Sequence, residues 1–144
     1  MKIAIGSDHG GYFLKEVIKE YLAEKGYEVE DFGCFSQESV DYPDYAKKVA
    51  EAVSKGECDA GVLMCGTGIG ISIAANKVKG IRAALCHDGL TARLAKQHNN
   101  ANIICMGGRT TGIETAKDIV DNWLNSEFEG GRHLRRINKI KDME

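Results

Sequence analysis

Cys65 opens the run Cys65-Gly66-Thr67-Gly68-Ile69-Gly70, and a thiol in that position can act as a base or a nucleophile. Glycine at every second position lets the backbone approach an anion with its N–H groups free, and such an electropositive loop favours the thiolate. The same stretch also fits a cysteine that merely fills space at a strand end, and Thr67 fits a helix cap. Asp8-His9 pairs a carboxylate with an imidazole, suited to moving protons between adjacent oxygens or gripping a phosphate, or to a solvated turn in which Asp8 caps a helix. His98, in His98-Asn99-Asn100, ends a helical pattern, where histidines commonly interact with the last carbonyls. Arg132 and Arg136 stand four apart, so two guanidinium forks share one helical face, either for a phosphate or as a solvated basic surface. Cys86 and His87 read as structural.

Familiar glycine motifs do not account for the Cys65 loop. A phosphate-cradling loop of the Walker type needs Lys and then Ser or Thr after its last glycine, whereas Gly70 is followed by Ile71-Ser72. A dinucleotide fingerprint starting at Gly68 lacks its third glycine, because position 73 is Ile73, although Asp88 stands where a ribose-binding acid would. A cysteine phosphatase would carry arginine where this chain has Ile71.

The elements that must position these residues alternate regularly. Apolar runs at Ile3 to Gly6, Glu28 to Phe32, Ala60 to Met64, Arg82 to Leu85 and Asn102 to Met106 predict five strands. Amphipathic stretches at Tyr12 to Lys25, Tyr45 to Lys55, Ile71 to Lys77, Leu90 to Gln97 and Ile113 to Asn125 predict the helices between them, with Gly26, Gly56 and Gly80 as stops and a turn at Asp41-Tyr42-Pro43-Asp44. This βα alternation predicts an α/β fold: a doubly wound three-layer α/β/α sandwich over a five-stranded parallel sheet, Rossmann-like. Ligands of such sheets gather beyond the strand carboxyl ends, where Asp8, Cys65, His87 and Arg109 would all arrive.

The 144 residues fit a single domain, 1–144, and 43% hydrophobic content is enough for a core. A formal net charge of -2 gives no general attraction to nucleic acid or acidic membranes. No stretch approaches a bilayer span or a signal-peptide core, so a cytoplasmic location is expected. Five cysteines without a CxxC pair or finger-like spacing indicate neither disulfides nor a metal site, and no cofactor is expected. The basic segment Arg132 to Lys141, within a C-terminal helix assigned to 131–144, follows the last sheet-packing helix and is expected to dock on a partner subunit.

Taken together, Gly6-Ser7-Asp8-His9-Gly10-Gly11, Asp41-Tyr42-Pro43, Cys65-Gly66-Thr67-Gly68-Ile69-Gly70, Asn76-Lys77, His98-Asn99-Asn100-Ala101-Asn102 and Gly107-Gly108-Arg109 resemble the type B ribose-5-phosphate isomerases, whose wider family includes galactose- and allose-6-phosphate isomerases. The resemblance implies interconversion of ribose 5-phosphate and ribulose 5-phosphate through an enediolate, with an aldohexose 6-phosphate as alternative substrate and a non-catalytic sugar-phosphate sensor as the alternative class. It implies Cys65 as the base between C1 and C2, His98 for opening the furanose ring, and Asp8 and Thr67 in support. His9, Arg132 and Arg136 match phosphate-contacting positions, and Tyr42 and the run Gly66, Thr67, Gly68, Ile69 and Gly70 join the substrate site. Asn99 and Arg109 match positions supplied across a dimer interface, implying a homodimer or a tetramer built from it. One branch of the family carries its base as glutamate where this chain has Ile71, leaving Cys65 as the base here.

Overall fold

In the computed structural model all 144 residues are described, and the strands and helices alternate as the sequence predicts. The strands are β1 (Lys2–Ser7), β2 (Glu28–Asp31), β3 (Ala60–Cys65), β4 (Ala83–Leu85) and β5 (Ile103–Gly107). The helices are α1 (Tyr12–Glu24), α2 (Tyr42–Ser54), α3 (Ile69–Ala75), α4 (Gly89–Asn99), α5 (Ile113–Leu124) and α6 (Arg132–Lys141). All pairings are parallel, in the order β2-β1-β3-β5-β4. The expected doubly wound α/β sandwich is therefore the fold.

Alternation along the strands divides the interior into two layers. Ile3, Ile5, Val62, Met64, Ile104 and Met106 face α1, α4 and α5, whereas Ala4, Leu63, Cys65, Ile103 and Cys105 face α2 and α3. Helix α1 shows how the amphipathic spacing works: Leu14, Ile18 and Leu22 recur every fourth residue, and all are buried. Burying each such side chain contributes about 2 kcal/mol. Gly26 and Gly56 follow α1 and α2 with φ of 91° and 77°, the left-handed conformation that ends a helix.

Three local differences have physical causes. Pro43 occupies the first turn of α2, which starts at Tyr42 instead of Tyr45, because an unbonded first-turn amide is dispensable and proline's fixed φ suits it. Helix α3 starts two residues early and stops at Ala75, where the Asn76 amide bonds both the N–H and the carbonyl of Ala83. The C-terminal segment also makes contacts within its own chain that the spacing did not suggest: α6 lies against α4 and buries His133 and Ile137, while the Glu144 carboxylate accepts the Gly80 N–H at 3.0 Å. No helix is long and apolar enough to cross a membrane.

Candidate active site

Helix α1 leaves β1 toward one face of the sheet and α3 leaves β3 toward the other, although the two strands are neighbours. The chain thus parts above β1 and β3, which is where open parallel sheets bind ligands. Cys65 is the last residue of β3 and is 4% exposed. Its Sγ accepts the Gly68 N–H at 3.1 Å. Gly68 holds φ at 79°, and a Cβ there would stand 2.6 Å from Leu85 Cδ1 and 2.8 Å from the Met106 carbonyl carbon. Only glycine lets the loop turn its amide back onto the sulfur. The N–H groups of Gly66, Thr67 and Gly70 have no acceptor within the chain, so this nest remains available to an oxyanion. Thr67 Oγ1 accepts the Ile69 N–H at 3.2 Å, while Gly68 is the residue that caps α3.

The other thiols lack this setting. Burial pushes Cys58 and Cys86 up to about 11 and Cys105 well above the ordinary thiol range, keeping them protonated at neutral pH. All five cysteines are free. Cys65 alone has a sulfur that accepts a backbone N–H.

Around Cys65 the neighbouring strands bring the expected partners. Asp8 is buried, its own N–H bonds the Met64 carbonyl at 3.2 Å, and its Oδ1 accepts the Gly11 N–H at 3.1 Å without capping α1. His9 Nδ1 accepts the Val40 N–H at 3.2 Å, so in the neutral ring the proton sits on Nε2. Tyr42 packs its ring on Gly70, where a Cβ would come 2.6 Å from Tyr42 Cζ. Arg109 lies at the same rim of its own chain: its N–H bonds the Gly66 carbonyl at 2.9 Å and its guanidinium lies over Gly66.

His98, Asn99, Arg132 and Arg136 are not in that group. Helix α4 starts at the rim, where Asp88 accepts the Thr91 N–H at 2.7 Å, and runs about 16 Å back toward the start of the strands. Its last residues lead into Ala101, which precedes β5, whereas Gly107 at the far end of β5 pairs with Cys65. At about 3.3 Å per residue, that span is about 20 Å. Helix α6 sits at the same base. His98 and its partners therefore lie at the opposite edge of the sheet from Cys65 in one chain.

At this base the structure adds two residues that the sequence pattern did not single out. The His133 ring stacks on His98 with centroids 4.3 Å apart and planes 9° from parallel. Glu129 Oε1 lies 3.6 Å from His98 Nε2 and 3.5 Å from His133 Nε2. The signal available in the sequence was the i,i+4 spacing of Glu129 and His133 beside Arg132. Their ligand atoms lie within 4.8 Å of one another, a donor set used for divalent metals. Parallel rings, however, direct their in-plane lone pairs past a common point, and Arg132 adds positive charge, so this arrangement does not fit an ion. Burial, His98 and Arg132 lower the His133 pKa, favouring a neutral ring. A groove of about 770 Å³ also lies at the base, lined among others by Asn99, Arg82, Ile140, Met143 and Glu144.

A carboxylate and an imidazole on adjacent residues, a thiol in an amide nest and a nearby guanidinium form an arrangement suited to proton transfer beside a developing oxyanion. The model of the ribose/galactose isomerase family matches residues 3–140. The ribose-5-phosphate isomerase B of Escherichia coli is 52% identical over 99% of this chain and 96% of its own length. The D-erythrulose-4-phosphate isomerase of Pectobacterium atrosepticum is 46% identical over 97% of this chain and 93% of its own. The solved structure of Clostridium thermocellum ribose-5-phosphate isomerase B superposes with a TM-score of 0.99 at 59% identity, covering 99% of this chain and 97% of that one. The chain belongs to the ribose/galactose isomerase family and is an isomerase, as the sequence resemblance implied.

Proposed function

We propose that the protein interconverts ribose 5-phosphate and ribulose 5-phosphate, with Cys65 as the base. The observation that carries this reading is the Gly68 N–H directed at Cys65 Sγ, next to unengaged N–H groups at Gly66 and Thr67. The C–H beside an aldehyde becomes acidic when the forming enediolate oxygen is stabilised, and those amides supply the stabilisation. Cys65 takes the C2 proton of the open aldose and returns it to C1, while Asp8 and Thr67 assist proton movement between O1 and O2. No metal or organic cofactor enters this route.

Because His98 lies at the opposite end of the strands from Cys65 on one chain, a second copy supplies it. The working unit is a homodimer in which His98, Asn99, Arg132 and Arg136 of one subunit complete the rim of the other. His98 opens the furanose, and Arg132 and Arg136 join His9 on the phosphate. Binding energy from the phosphate then orients the reactive carbons, so free pentose reacts poorly.

Replacing Cys65 with Ala is expected to lower kcat for ribose 5-phosphate about 10³-fold while substrate still binds. Unchanged turnover would remove Cys65 from the mechanism, and a wild type that binds sugar phosphates without isomerising any would identify a sensor. A kcat/KM more than about tenfold higher for allose or galactose 6-phosphate would reassign the substrate within the same chemistry.

A further inference from the structure

We propose that Glu129 and His133 are positioning residues for His98, holding its imidazole in the orientation that opens the sugar ring; this rests on the assignment of His98 to ring opening. His98 stands at a helix end that turns through Asn100 at φ 45°, and its side chain is 38% exposed. Such a side chain would ordinarily exchange among rotamers. Here one ring face is covered by His133, whose own side chain is 10% exposed, and the ring edge faces Glu129. The clamp is tied to α4 through the backbone, because the Glu129 N–H bonds the Gln97 carbonyl at 3.0 Å. Gly130 and Gly131, with φ of 68° and 58°, turn the chain at once into α6, whose first turn carries His133. Two glycines thus separate the carboxylate from the helix that carries the stacking ring.

The chemistry explains the need for such a clamp. To open the ring, O1 loses its proton to water, C1=O1 forms, the C1–O4 bond breaks and O4 takes a proton from the His98 imidazolium. His98 then recovers a proton from solvent. Donation to O4 is directional, and a misplaced ring loses much of the advantage of proximity. A neutral His133 covers the imidazolium without adding a like charge, while the Glu129 carboxylate offsets the positive charge of Arg132 and Arg136 on α6. The lowered pKa of His133 agrees with that division of roles.

A comparison between a cyclic and an acyclic substrate isolates this function. Ribose 5-phosphate is mainly a furanose and must be opened, whereas ribulose 5-phosphate is acyclic, so deuterium exchange at its C1 needs Cys65 but no ring opening. In the full-length protein, His133→Ala is expected to lower kcat/KM for ribose 5-phosphate about tenfold, and Glu129→Gln about threefold, with C1 exchange changed less than about twofold. His133→Phe, which keeps a flat stacking surface, is expected to recover most of the loss. Equal losses in both assays, or no loss in either, would overturn the positioning role. Should His133→Ala fail to fold, Glu129→Gln and His133→Phe carry the same comparison. A wild type inactive in both assays would instead reject the proposed isomerase reaction itself, and a His98→Asn variant with undiminished ribose 5-phosphate turnover would reject the assignment of His98.

Discussion

The rim and the base of the sheet carry functional groups built in different ways. At the rim, backbone does most of the work: the Cys65 sulfur, the Gly68 amide and the Arg109 backbone are fixed by strand ends and their turns. At the base, the groups are side chains on helix ends, and His98 owes its orientation to Glu129 and His133. The rim is therefore preorganised by the fold, whereas the base depends on how α6 settles against α4. Under the proposed mechanism one chain is chemically incomplete, since each end of the sheet holds what the other lacks.

The largest expected effect that tests this contrast is at Gly68. Gly68→Ala should abolish nearly all activity, because a Cβ meets Leu85 and the Met106 backbone and the required φ costs about 1 kcal/mol or more. A crystal structure of the variant should show the amide displaced from the sulfur. A retained Gly68 N–H to Cys65 contact with full turnover would contradict the view that this turn builds the site. Next comes complementation: Cys65→Ala and His98→Asn chains, each nearly inactive, are mixed and allowed to re-associate. Random pairing makes half of the dimers hybrid, each with one intact site, so about a quarter of wild-type turnover should return. No recovery from mixed dimers verified by mass spectrometry would place both residues in a site on one chain.

Stability should separate the two regions as well. The Lys15 ammonium is completely buried near the rim and pairs with Asp31 at 2.6 Å, and Lys19 reaches the same oxygen at 2.9 Å. Asp31→Asn leaves Lys15 without its main partner and should cost about 3 kcal/mol in urea denaturation. Burial alone would raise the Asp31 pKa, but Lys15, the Gly33 N–H and Lys19 outweigh it and hold the pKa below the usual range. Its contribution is thus fully present above about pH 4 and is lost as pH falls through the lower folded value. The acid limb of the wild-type stability profile should flatten in Asp31→Asn. The smallest effect belongs to the base: Trp123→Phe removes the indole hydrogen bond to the Ala101 carbonyl, 2.9 Å long, at about 1 kcal/mol. A loss at Trp123 larger than that at Asp31 would reverse the comparison.

Much of this architecture was legible in the chain. The repeated change from short apolar runs to fourfold spacing marked the five strands and helices α1 to α5, and Gly26 and Gly56 marked two helix ends. Pro43 misled because the same residue suits a turn and the first turn of a helix. The Cys65 loop announced itself through alternating glycines, and the order of motifs along the chain identified the family. Glu129 and His133 carried only a common i,i+4 spacing, and nothing local reveals that their helix returns to cover His98.

Residue order by itself determined the element types, the parallel sheet and the presence of a thiol beside an amide nest, because these follow from spacing and backbone chemistry over a few residues. Tertiary structure decided that β5 enters between β3 and β4, that Arg109 stays with Cys65, and that His98 goes to the opposite edge. The direction in which a helix crosses the sheet sets those separations, and no local stretch of sequence contains them.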